Sequence, residues 1–219
     1  MVDKLGGMTK RGGSDEQRRA RGEQTRRALV SAGRTLFVEP GYFAVSIADI
    51  VDHAGVGSRG AFYHHFADKV ALFRAVFAEV EQDLVLRAIA APPSGDRWDR
   101  LSQGLHGCLD AALDPEVQRI VLIDGPVVLG WRRLRDIEDA GSISMVEEAL
   151  RRAISEGTID EQPVRELAHM LLAAAEEAAL MVAHSTDPAS AKRTAGAVLD
   201  RFLRSLAPQD LPARTRGHR

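Results

Sequence analysis

The sequence predicts an all-α chain, with an N-terminal three-helix unit built on a helix-turn-helix and a larger C-terminal helical unit. Three observations carry this. Between Ser46 and Lys69 the chain reads SIADIVDHAGVGSRGAFYHHFADK, two short amphipathic segments joined by a glycine-containing turn. Beyond it, apolar residues recur every three or four positions, and no stretch shows the strict alternation of a half-buried strand. Pro40-Gly41, Pro92-Pro93-Ser94-Gly95, Gly157 and Asp187-Pro188 punctuate the pattern at helical lengths.

Residues 1–21 are rich in Gly, Lys and Arg and are expected as a disordered basic arm. From Lys10 to Arg34 eight basic residues stand against three acidic ones, in a chain whose net charge is −2. A basic end on an acidic body is the charge pattern of a protein that presents one face to a polyanion. The first helix is expected from Gly22. Ala28, Leu29, Ala32, Leu36 and Phe37 follow helical spacing, and Pro40-Gly41 stops it. Ser46 then stands where its hydroxyl can cap a helix, with Asp49 three residues on. Ile47, Ile50, Val51 and Ala54 form that helix's apolar face, and Gly55 ends it where a left-handed residue is easiest. In the next segment Phe62 and Phe66, four apart, read as core. A long helix over 67–90 follows, and the boundary between a 22–80 unit and an 81–207 unit is expected inside it, near residue 80.

The C-terminal elements follow in turn. Trp98, Leu101, Leu105 and Leu109 mark a helix over 96–113. Pro115 and Pro126 open further helical stretches, the second running through Trp131 towards Ile137. Met145 to Ile154 is amphipathic and is closed by Gly157. Pro163 begins a helix to His184 that is apolar almost all round, as expected of a helix covered on two sides. Asp187-Pro188 starts the last helix, with a clean stripe of Ala195, Val198, Leu199, Phe202 and Leu206. The tail, 208–219, is expected to be disordered.

Bulk properties narrow the class. The composition, 45% apolar and 27% charged, is ordinary for a soluble globular chain. A single cysteine, Cys108, excludes a disulfide framework and fits a reducing cytoplasm. No secretory signal pattern is present. The longest apolar run, Ile120 to Trp131, is broken by Asp124 and Gly125-Pro126 and falls short of the about 20 residues a bilayer needs, so no membrane association is expected. No glycine-rich phosphate loop, HExxH or nucleophile elbow is found, so no enzyme is expected. His53, His64 and His65 lack partners at familiar ligand spacing, so neither a metal nor another cofactor is expected.

The ordered set Gly41-Tyr42, Ser46-Ile47, Ile50, Ala54-Gly55-Val56, Gly60, Phe62-Tyr63-His64-His65-Phe66, Lys69 and Leu72-Phe73 resembles the N-terminal DNA-binding domain of the tetracycline-repressor (TetR) family of bacterial transcription regulators. The resemblance covers residues 20–80. It implies a cytoplasmic homodimer that binds a double-stranded DNA operator and answers to a small-molecule effector, most simply a repressor. It assigns Ser46, Tyr63, His64 and Lys69 to phosphate contacts, which position a protein without reading sequence. By its own chemistry Arg59 is the base reader, since a bidentate Arg–guanine contact is the commonest specific one. Ser58 opens the reading helix, and Gly60 and Ala61 permit close approach. Thr25 and Arg26, in the expected first turn of the first helix, would offer N–H groups, a hydroxyl and a guanidinium to a phosphate. Two departures are visible. Val56 to Tyr63 counts one residue more than the family's usual spacing, which makes Gly57 or Ser58 an addition to the turn. Ala48 stands where some members carry a second base-reading Arg.

The resemblance also implies an effector site in the C-terminal unit and a dimer interface made by the last two helices. Candidates for the first are His106, Cys108, Asp124, Trp131, Met170, Glu176 and Glu177, polar or polarisable groups on otherwise apolar helices. His184 was a weaker candidate of the same kind, and Met170 and Met181 read equally as gap-filling core. Candidates for the second are Leu171, Ala175, Ala178, Val182, Ala195, Val198, Leu199 and Phe202. The alternative is an all-helical small-ligand or partner-binding protein whose helix-turn-helix is vestigial.

Overall fold

The structure is a computed structural model and describes residues 9–90 and 97–207. Among these, every regular element is helical, as expected. In order they are α1 (Thr9–Leu36), α2 (Ile47–Ala54), α3 (Arg59–His65), α4 (Lys69–Ala90), α5 (Arg97–Ala111), α6 (Gly125–Ala140), α7 (Ser142–Ser155), α8 (Val164–Ala183) and α9 (Pro188–Arg204). A wide turn and a 3-10 turn link α1 to α2 over Phe37–Gly41 and Tyr42–Ala44, and a π-helical segment, Val117–Asp124, leads into α6. The chain divides into two compact units, one ending at Glu79 and the other beginning at Val80. The helix α4 runs through the division.

In the N-terminal unit, α1 begins at Thr9, not at Gly22. The part of the expected basic arm that is described, 9–21, is therefore helical, while 1–8 and the expected disordered tail 208–219 lie outside the described residues. Residues 15–21 are exposed, so no apolar spacing announces a helix there. Composition favours one instead: Glu, Gln, Arg and Ala are strong helix formers, no proline intervenes, and Asp15 pairs with Arg18 one turn on. Pro40 ends the helix as expected. It drives Glu39, the residue before it, into an extended conformation (φ −146°, ψ 122°). Phe37, Tyr42 and Phe73 then meet with ring centroids 5.1–5.4 Å apart, tying the end of α1, the link and α4 together.

The C-terminal unit is built around α8. Leu171, Leu172, Ala175, Ala179 and Val182 turn inward to a core completed by Leu105 and Leu109 of α5, Leu150 of α7 and Leu199 and Leu203 of α9. The opposite face of α8 is open, with Met170 71% and Met181 62% exposed. Close approach of α5 and α9 requires Gly196: a Cβ there would fall 2.6 Å from His106 Cε1. Asp187 caps α9, accepting from Ser190 N at 3.0 Å. The helix α6 is interrupted at Gly130 (φ 71°, ψ 160°), a conformation other residues rarely adopt. The sequence reading had α6 run unbroken through Trp131.

Candidate functional site

The helix-turn-helix is assembled by two caps and a buried stripe. Ser46 Oγ accepts from Asp49 N at 3.2 Å, and the Asp49 carboxylate accepts from Ser46 N at 2.8 Å and from the Ser46 hydroxyl at 2.7 Å. These bonds hold the Asp49 carboxyl below its ordinary range. Gly55 closes α2 in the left-handed region (φ 64°). Gly57 takes a second left-handed step (φ 78°), and Ser58 then caps α3, accepting from Ala61 N at 3.3 Å. The added turn residue is thus absorbed between the two helices, and Arg59 is the first residue of α3. Phe62 is fully buried and Phe66 nearly so. The opposite face presents Arg59, Gly60, Tyr63 and His64 to solvent, with Ala61 half-buried. Tyr63, 56% exposed, stands edge-on to Phe62.

Three expectations for this face change. Thr25 and Arg26 lie in the middle of α1, so the backbone N–H groups there are not helix-terminal, and the Thr25 hydroxyl donates to Arg21 O at 3.0 Å. The Arg26 guanidinium packs 5.8 Å from the centroid of the Phe66 ring. Ser46 spends its hydroxyl on the cap. Lys69 turns away from a free phosphate position: its ammonium donates to Tyr42 O at 2.8 Å and Val45 O at 2.7 Å, 4.2 Å from the centroid of the Tyr42 ring. Burial lowers the Lys69 pKa, and burial followed by the Asp68 charge raises that of Tyr42.

In the C-terminal unit the effector candidates separate. Cys108 and Glu176 fall into one polar cluster, with Glu81 of α4, Arg135 and Glu138 of α6 and Ser142 of α7. Glu81 accepts from the Ser142 hydroxyl at 2.5 Å, and Glu138 pairs with Arg135 at 2.8 Å. Burial, the Glu138 charge and then the Glu81 charge push Glu176 up to about 7, against the pull of Arg135. Burial, then Glu176 and Glu81, push the Cys108 thiol up to about 12. Glu81, Arg135 and Glu138 were missed from the sequence because charges on helices usually face water. Glu81 did carry a signal, since it continues the four-residue spacing of the buried Phe73 and Phe77.

The other candidates stand elsewhere. Asp124 is buried in an ion pair with Arg119 at 3.0 Å. Ser102 and His106 both reach Asp200 Oδ1, at 2.9 and 2.8 Å, joining α5 to α9. The exposed His184 bonds Leu180 O through Nδ1 at 2.9 Å. Trp131 is 74% exposed, and Met170 and Glu177 lie on the outer face of α8. The interface candidates also divide. Leu171, Ala175 and Val182 belong to the protomer's own core, because an α8 that is apolar all round hides which side turns inward. The outer faces of α8 and α9 enclose an open groove of about 810 Å³, lined by Ala178, Met181, Ala195, Val198, Leu199 and Phe202 among others.

Comparison with known proteins agrees with this architecture. Residues 29–76 match the model of bacterial regulatory proteins of the tetR family, and residues 98–206 match that of the tetracyclin repressor-like C-terminal domain. The TetC protein of transposon Tn10 from Escherichia coli is 34% identical over 118 residues, 52% of this chain and 58% of that protein. The HTH-type transcriptional repressor BepR of Brucella suis is 29% identical over 105 residues, 47% of this chain and 50% of that protein. The chain thus spans little more than half the length of these curated relatives. The crystal structure of a TetR-family transcriptional regulator from Pectobacterium atrosepticum superposes with a TM-score of 0.75 at 31% identity, covering 87% of this chain and 98% of that one. The regulator RolR in complex with resorcinol shares the fold, with a TM-score of 0.68 at 19% identity over 88% of this chain and 97% of that one.

Proposed function

The chain belongs to the tetracycline-repressor (TetR) family of bacterial regulatory proteins, and from that premise we propose that it is a ligand-responsive transcriptional repressor. It binds a pseudo-palindromic operator as a homodimer in the cytoplasm and is released by a small-molecule effector. The observation that supports this most is the exposed Arg59 at the first position of a capped, core-anchored α3. From there a guanidinium can enter the major groove and pair with guanine O6 and N7. Ser58, Gly60, Ala61, Tyr63 and His64 surround it, the last two as phosphate contacts. The dimer face is the α8–α9 groove, revised to the outward residues Met170, Ala178, Met181, Ala195, Val198 and Phe202.

Effector sensing is assigned to the polar cluster of the C-terminal unit. Three carboxylates face one guanidinium there, so an effector that changes this balance favours one conformation over another, and such a difference in affinity is what shifts a population. The reading involves no catalysis. A Cys108 thiol titrating at about 12 holds almost no thiolate at neutral pH, and the thiolate is the reactive form.

Selection from random double-stranded DNA with the purified protein, at stated salt, tests the proposal. An inverted repeat with guanine at symmetric positions is expected. Weak, salt-sensitive binding with no consensus would favour the all-helical ligand-binding or partner-binding alternative.

A further inference from the structure

We infer that Lys69 is a positioning residue for the recognition helix and not a phosphate contact: its ammonium clasps the two ends of the segment that carries the helix-turn-helix. The inference rests on the operator-binding reading above. Lys69 is the first residue of α4, whose start is capped by Asp68 accepting from Ala71 N at 2.7 Å. Its side chain reaches back 24 residues to Val45 O and 27 to Tyr42 O. Val45 immediately precedes Ser46, the cap of α2. Everything between the clasped ends is α2, the turn with the added residue, and α3.

The receiving carbonyls belong to residues that are nearly buried, Tyr42 at 7% and Val45 at 4% exposed. A carbonyl in that setting needs a donor, and an ammonium supplies a charge-assisted bond that is shorter and stronger than a neutral one. The Tyr42 ring adds a cation–π contact at 4.2 Å. Two of the three ammonium donors are committed to the backbone. Swinging the side chain out to a phosphate would strand both carbonyls. The recognition helix has seven residues and little packing of its own beyond Phe62, so its direction depends on how firmly the flanking helices are joined. Loss of the clasp therefore loosens the aim of Arg59 and leaves the phosphate-facing charge of the exposed surface in place.

The two roles predict different salt behaviour. A lost phosphate contact lowers the slope of log K against log salt by about 0.9 per contact and weakens all DNA alike. A lost clasp weakens the specific complex and leaves that slope unchanged. Full-length Lys69→Met keeps the apolar stem and removes the donors, and Lys69→Arg restores donors and charge. Binding of each to the selected operator and to a random duplex is measured across a salt series. For Lys69→Met we expect operator affinity to fall about tenfold or more with random-duplex affinity and slope unchanged, and Lys69→Arg to recover part of the loss. Equal losses on both duplexes with a flattened slope, or no loss on either, overturn the inference.

A measurement on the wild-type chain covers a variant that fails to fold. The sequence has four lysines, Lys4, Lys10, Lys69 and Lys192. Reductive methylation followed by peptide mass spectrometry should find Lys69 strongly slowed relative to the denatured chain, with or without DNA. A Lys69 that reacts freely in the folded protein and is protected only when DNA is added overturns the clasp. A wild-type protein that prefers no operator sinks the operator reading instead, and the methylation arm, which needs no DNA, still decides the clasp.

Discussion

Arg59 carries the base-reading role alone, since Ala48 leaves α2 without a second long reader. Arg59→Ala is expected to lower discrimination at the guanine position by about 1–3 kcal/mol per half-site while random-duplex binding changes little. Competition binding with operators substituted at that base measures this, and an unchanged preference would reassign the reader. Glu176 makes a pH prediction in the other unit. Its folded-state pKa of about 7 lies above the ordinary 4.5 because burial, reinforced by the charges of Glu138 and Glu81, disfavours the ionised form. The folded chain therefore keeps a proton that the unfolded chain releases from about pH 4.5. Stability from this group is whole below that value and is lost as pH rises through 7, by an amount on the order of 1–3 kcal/mol. Glu176→Gln should leave Tm nearly unchanged at pH 4.5 and raise it by several degrees at pH 8. Thermal unfolding followed by circular dichroism decides it, and an equal shift at both pH values would mean that the charge is not what burial penalises.

At the scale of elements, the turn between α2 and α3 decides where the reading helix begins. Gly57 adopts φ 78° with open space around a would-be Cβ, so a substitution there meets backbone strain and no clash. Gly57→Ala should cost about 1 kcal/mol, and Gly57→Asn, which tolerates the left-handed region, should cost less. Ser58→Ala removes the α3 cap and should cost about 1 kcal/mol. Denaturant unfolding of the three variants tests the order, and a Gly57→Ala protein as stable as wild type would contradict the assigned backbone. Much of this unit was legible in the residues. The Ser46–Asp49 box, the Gly55 stop and the Phe62–Phe66 core follow from local spacing, which is how short-range hydrogen bonds and burial show themselves. Lys69 was misread because its carbonyl partners lie 24 and 27 residues away and no local pattern encodes them. The start of α1 was misplaced because an exposed polar helix has no apolar period. The polar cluster around Glu176 was half seen, as its members come from four helices that only tertiary packing brings together. The inward side of α8 was hidden for the opposite reason, since a helix apolar on all sides has no direction in its sequence.

At the scale of the whole molecule, that outward side is where two chains must meet if the reading is right. Phe202 is 57% and Val198 51% exposed on α9, facing the groove that Met181 lines from α8. Apolar side chains of this size in one groove are the anchors an interface core needs. A two-fold interface repeats every residue, so one introduced charge becomes two buried and unpaired ones. Phe202→Glu is therefore expected to raise the dimer dissociation constant about 100-fold or more, and Met181→Glu to act in the same direction. Helix content should be preserved, because both side chains are solvent-facing in the protomer and leave its core untouched. Sedimentation velocity reads the mass, and circular dichroism checks the fold. The functional consequence separates this face from a groove that merely binds a small molecule. A monomer loses the tethering that presents its second reading helix at high effective concentration. Operator affinity should therefore collapse towards that of a half-site, while random-duplex binding per protomer falls far less. A variant that stays dimeric and binds its operator normally would place the interface elsewhere, and the α8–α9 groove would then need another occupant.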